Sequence, residues 1–181
     1  MAYPQEYIDF LVHFHGSRDY FECHEILEEY WKKIDRENKH SIWVGLIQLA
    51  VSQYHHRRGN LTGACKTLQK SLHIFRSQPE ELICLGMDQA VLTKQLQASL
   101  SKMEQKQGYE SINLPITARD LMTRCLKRSH ELHMKWGGPS NMTDAGLVHR
   151  HKKRDRTQVI QERDEALRKR QTKETNSEKK E

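Results

Sequence analysis

Apolar residues recur with helical spacing along most of the chain, and the breaks in that spacing divide it into helices. A first helix is predicted from about Pro4, well suited to the first helical position, to Gly16, with Ile8, Leu11, Val12 and Phe14 to bury. Asp19 caps the second, and Glu22 three residues on completes a capping box. On this second helix Tyr20, Cys23, Leu27, Tyr30, Trp31 and Ile34 share the apolar face, while Glu22, Glu25, Glu29 and Lys32 share the wet one. His24 and Glu28 fall on the border. Ser41 caps a third helix, where Ile42, Trp43, Val44, Leu46, Ile47, Leu49, Ala50, Val51 and Tyr54 cover most of the circumference. That pattern marks a central helix with neighbours on nearly every side. Its exception is a narrow polar stripe of Gln48, Ser52 and His55, with Gly45 just above it.

Arg57-Arg58-Gly59-Asn60 reads as a tight stop and restart, glycine supplying the left-handed end and asparagine capping the fourth helix. Leu61, Ala64, Cys65, Leu68, Leu72 and Phe75 form one face of that helix down to Ser77. Pro79 to Met87 is a connection with room for a helical turn. Asp88 opens a fifth helix that runs to Met103, and Thr117 with Asp120 looks like the capping pair of a sixth that runs to Trp136. Gly137-Gly138-Pro139 then breaks the chain, and residues 143–169 are expected to be helical with Val148 among their apolar anchors. The predicted fold class is all-α: a compact bundle of about five to six helices over residues 1–136. A charged, partly helical or disordered tail follows over residues 137–181.

Composition agrees with this division. The 181 residues are 36% hydrophobic and 30% charged, enough apolar surface for one domain with a real core. From position 137 onward there are 12 Lys and Arg and 8 Asp and Glu, with little to bury, so that stretch reads as an extension and not as a second globule. The net charge of +6 is mild and mixed in sign, which permits nucleic acid as a partner without demanding it. Cys23, Cys65, Cys84 and Cys125 are scattered and lack a Cys-x-x-Cys spacing, the usage of a reducing compartment. No apolar run approaches about 18 residues, and the N-terminus lacks the basic start and apolar run of a signal peptide. A cytoplasmic protein with no membrane partner is expected.

The candidate chemistry centres on His24 and Glu28, which stack one turn apart on the second helix. The run His24-Glu25-x-x-Glu28 invites comparison with His-Glu-x-x-His zinc proteases, but the second histidine is missing and Glu25 falls on the solvent side. An antiparallel hairpin would bring Gln48, Ser52 and His55 alongside the pair. The favoured reading of His24, Glu28, Gln48, Ser52 and His55 is a hydrogen-bonded network that sets helix register. The competing reading is a site between helices two and three, with His24, Glu28 and His55 holding a divalent metal that activates water, or with the same cluster taking a small molecule.

Two weaker features stand apart. Arg57, Arg58 and Asn60 could bind an anion at the start of the fourth helix, although arginines at a helix end are ordinary. Arg150, Lys152, Lys153, Arg154 and Arg156 form a basic run that could touch phosphates, a solvated charged helix being the default. No stacking aromatics accompany them, so base-specific recognition has no support.

Taken together, Phe21-x-x-His24-Glu25-x-x-Glu28-x-x-Trp31, Gly45-Leu46-Ile47-Gln48-x-Ala50 and His55-x-x-x-Gly59-Asn60-x-x-Gly63-Ala64 closely resemble an uncharacterised bacterial family, domain of unknown function 309. The motif region spans about Tyr20 to Leu72. The resemblance implies a compact all-helical domain with no established activity, and it assigns no role to the motif positions. The reading ranked first is therefore a non-enzymatic cytoplasmic interaction protein. Its partner would be a protein, a second copy of itself included. A metal- or small-molecule-dependent enzyme and a non-specific nucleic-acid binder through the basic tail are the alternatives.

Overall fold

The central helix organises the structure, a computed structural model that describes residues 3–150. Eight α-helices occur among these residues: α1 (Gln5–Val12), α2 (Tyr20–Ile34), α3 (Ile42–Arg57), α4 (Leu61–Ser77), α5 (Pro79–Cys84), α6 (Gln89–Glu104), α7 (Arg119–Glu131) and α8 (Ala145–Val148). No strand occurs among the described residues, and an isolated antiparallel bridge pairs Met87 with Ile116. The fold class is all-α, as the periodicity predicts.

Helix α3 buries residues around nearly its whole circumference, from Ile42, Leu46 and Leu49 on one side to Ser52, Gln53 and His56 on others. It packs on α2 and on α4, α4 packs on α6, and α1 packs on both α2 and α7. The core between them contains Tyr7, Phe10, Leu11, Phe14, Leu27, Leu68, Phe75, Leu92, Leu96 and Leu121, all fully buried. Each such side chain contributes about 1.5–3 kcal/mol by leaving water, before the entropy of ordering it is counted.

Helix ends follow their sequence cues with some differences. Asp19, Asn60 and Asp88 accept from the amides of Glu22, Gly63 and Val91, closing the starts of α2, α4 and α6. The Asp19 amide donates to the Ser17 hydroxyl at 3.3 Å. The first helix does not stop at Gly16. After Val12 it widens into a π-helical turn over His13–Ser17, ended by Arg18 in the left-handed conformation at φ 56°. The sixth predicted helix starts at Arg119 after a cap by Ala118 that makes no side-chain bond, and it ends at Glu131, short of Trp136. Ile34, expected on the apolar face of α2, is 49% exposed.

Residues up to His149 belong to one compact unit. Within it the Gly137 amide donates to the His15 carbonyl at 2.9 Å, and Val148 is buried. No helix among the described residues is long and apolar enough to cross a membrane.

Candidate functional site

Helix α2 presents its polar border as a trio. The His24 ring lies between two carboxylates, with Nδ1 3.1 Å from Glu25 Oε1 and Nε2 3.2 Å from Glu28 Oε2. Glu28 is also paired with Lys32 one turn on, at 3.0 Å. The His24, Glu25 and Glu28 side chains are about a third exposed, and their ligand atoms lie within 4.8 Å of one another. Among the described residues this is the group of three that could hold a cation. Glu25 therefore belongs with His24, contrary to the expectation that it turns to solvent. A helical wheel gives the direction of Cβ, whereas the Glu25 carboxylate sits at the end of a flexible arm that reaches the neighbouring imidazole.

The polar stripe of α3 faces α4. The Ser52 hydroxyl donates to the Ala64 carbonyl at 2.9 Å in a fully buried contact. His55 Nδ1 sits 3.0 Å from Asn60 Nδ2, and a Cβ added at Gly63 would lie 3.1 Å from the His55 ring. Ser71 on α4 donates to the Gly45 carbonyl at 2.8 Å, continuing the same seam. Gln48 lies on the α3–α4 seam as well, its Oε1 buried and without a partner. The expected meeting of His24 and Glu28 with Gln48, Ser52 and His55 is thus corrected: the pair makes its ion pairs within α2, and the stripe makes its contacts across the α3–α4 hairpin. The reason is register. Residues equidistant from Arg58 meet across the antiparallel helices, which sets Ser52 against Ala64 and Gly45 against Ser71. Burial, and next the Arg58 charge, lower the affinity of His55 for a proton.

Arg57 departs from both roles foreseen for the pair, anion binding and an exposed helix end. Arg57 is buried, with its guanidinium 4.8 Å from the centre of the Tyr20 ring. Its Nη1 donates to the Arg18 carbonyl at 2.6 Å and to Ser140 Oγ at 3.0 Å, and its Nη2 to the Leu147 carbonyl at 3.1 Å. Arg58 stays beside the turn, 5.3 Å over the Tyr54 ring. Asn60 is used as the α4 cap. Arg150 is exposed, while Lys152, Lys153, Arg154 and Arg156 lie outside the described residues.

Two buried groups went unmarked in the sequence. Arg18 is 1% exposed and donates to the carbonyls of Phe14, Ile112 and Gly138 and to Asn113 Oδ1. His15, equally buried, bonds Leu11 O through Nδ1 and accepts the Leu114 amide at Nε2, each at 2.8 Å. Accepting at one nitrogen fixes the neutral tautomer protonated at the other. Burial holds this imidazole down to about 4. Apart from the Phe14 and Leu11 carbonyls, the partners of both residues lie about a hundred positions away, so local sequence carries no signal for their burial; the bulky Phe14 and the break at Gly16 mark only where the chain turns.

The comparisons fit this architecture. The family model described as domain of unknown function (DUF309) matches residues 7–67, which cover most of α1, all of α2 and α3 and the first turns of α4. The uncharacterised protein YpuF of Bacillus subtilis (strain 168) is 42% identical over 168 residues, covering 93% of this chain and 97% of that protein. No solved structure matches the chain. With its motifs placed on α2, α3 and the α3–α4 turn, and a relative aligned over nearly its whole length, the chain belongs to the domain of unknown function 309 family.

Proposed function

We propose that this chain is a non-enzymatic cytoplasmic interaction protein whose buried polar side chains hold its helices in register. The observation that carries the reading is where those side chains are directed. Ser52, Ser71, Arg18 and Arg57 all donate to main-chain carbonyls of other segments of the same chain. Donors engaged in this way are held in place, and a catalytic centre needs groups that face a substrate. The four cysteines, free thiols two of which are buried, fit a reducing compartment.

A second reading is favoured by one observation, the convergence of His24, Glu25 and Glu28. An imidazole with two carboxylates suits a divalent cation such as zinc or manganese, which would activate water. All three ligands would come from one exposed helix edge, and Lys32 competes for Glu28. Elemental analysis of the untagged full chain separates the readings. We expect no stoichiometric metal, and no difference in metal content between wild type and His24→Ala. A stoichiometric metal that disappears in His24→Ala would overturn the interaction reading.

A further inference from the structure

Helices α3 and α4 leave a groove on their outer side that reaches up to the loop before α3. Its volume is about 620 Å³. Val44 and the buried Ile74 give it an apolar floor, and Lys39, Lys66 and Lys70 stand exposed around it. None of its lining residues is acidic. On the rim the His40 and His73 rings meet edge-on with centroids 6.4 Å apart. The groove between α1 and α7 differs, because Arg128 there is already paired with Asp9 and Glu131.

A row of lysines alone is an ordinary solvated face. What sets this groove apart is the combination of an apolar floor and a rim of one sign. Lys66, Lys70 and His73 follow one another at one-turn spacing along α4, a stripe about 10 Å long. We propose that this groove docks an acidic amphipathic segment of a protein partner. An apolar side chain of the segment packs on Val44 and Ile74, and flanking carboxylates face Lys39, Lys66 and Lys70. Complementary charge orients the segment and speeds its arrival, while the apolar anchor holds it. The lining has no Trp, Tyr or Phe on which a base could stack, which favours a peptide over a polynucleotide. The inference rests on the reading of the chain as an interaction protein and names the face and chemistry involved.

The test pans a random-peptide display library on the full chain and measures the enriched peptides by fluorescence anisotropy. Enriched peptides should carry Asp or Glu around a large apolar residue. A Lys66→Glu, Lys70→Glu double variant should weaken them by about tenfold or more. Val44→Asp should weaken them as well, and Arg124→Glu in the other groove should leave them within about twofold. Lys66 and Lys70 are exposed, so the double variant should keep the helical circular dichroism of the wild type. The inference fails if the enriched peptides are neutral or basic, if they bind the double variant equally well, or if no peptide is enriched. It also fails if single-stranded polynucleotide shows the same dependence on Lys66 and Lys70. Peptides that bind at another face would sink the groove and leave the interaction reading standing, whereas the metal result described above would sink that reading itself.

Discussion

The Arg57 guanidinium donates to the main-chain carbonyl of Arg18 at 2.6 Å, so that one buried cation holds the backbone of another. Arg18 sits in the left-handed conformation, which costs a non-glycine residue about 1–2 kcal/mol. Its own guanidinium bonds the carbonyls of Phe14, Ile112 and Gly138 and the Asn113 side chain, and these contacts offset that cost. The two arginines thereby tie together the π-helical turn after α1, the end of α3, the loop before α7 and the strap from Gly137 to Leu147.

Removing either arginine should be costly. Arg18→Ala leaves several buried carbonyls unpaired, and the expected loss is about 3 kcal/mol, read as a lowered midpoint in urea. Arg57→Lys keeps the charge but replaces a planar fork by a point donor, which cannot serve Arg18 O, Ser140 Oγ and Leu147 O in the same geometry. Hydrogen exchange should then quicken first at amides of the Gly137–Val148 strap, such as the Gly137 amide on His15 O. A loss below about 1 kcal/mol for Arg18→Ala would mean that water replaces these contacts without penalty.

His15 makes stability depend on acid. Burial, with the Arg18 charge acting in the same direction, holds its folded-state value at about 4 against an ordinary 6.5. The unfolded chain therefore takes up the proton first. The stability contributed by neutral His15 is complete above about pH 6.5, is lost as the pH falls toward about 4, and is constant below that. The full loss amounts to about 3 kcal/mol. Urea unfolding of wild type and His15→Gln across this range checks the assignment. The variant should be the less stable of the two near neutrality, and the difference should shrink steadily toward acid. A difference independent of pH would assign the acid sensitivity to other groups.

The same residues explain what was legible in the sequence. The second helix could be read almost entirely, because its cap, its apolar face and its polar border are all local features of a 3.6-residue repeat. The polar stripe of the third helix was equally visible, but periodicity does not say which of two antiparallel neighbours a stripe faces. Counting outward from Arg58 would have paired Ser52 with Ala64 and Gly45 with Ser71, and so would have turned the stripe away from His24. Arg18 and His15 were beyond reach for another reason. Charged and titratable residues default to the surface, and only contacts with Ile112, Leu114 and Gly138 reveal that these two are buried.

The register of the α3–α4 hairpin can be tested at Gly45. A Cβ there would lie 2.7 Å from Phe75 Cε1 and 3.0 Å from Ile74 Cγ2, both on α4. Phe75 is fully buried and Ile74 nearly so, so neither can yield without disturbing the core. Alanine would gain about 1 kcal/mol over glycine as a helix former, whereas overpacking typically costs about 1–3 kcal/mol. Overpacking should win where Phe75 and Ile74 cannot yield, leaving Gly45→Ala less stable by up to about 2 kcal/mol and lowering the melting temperature by a few degrees. Gly108→Ala is the matched control, since its Cβ would meet nothing within 4 Å and its φ is not in the left-handed range. If both variants melted together with the wild type, the close approach of α3 to α4 at Gly45 would be wrong. The pairing of Ser52 with Ala64, which depends on the same register, would be in doubt with it.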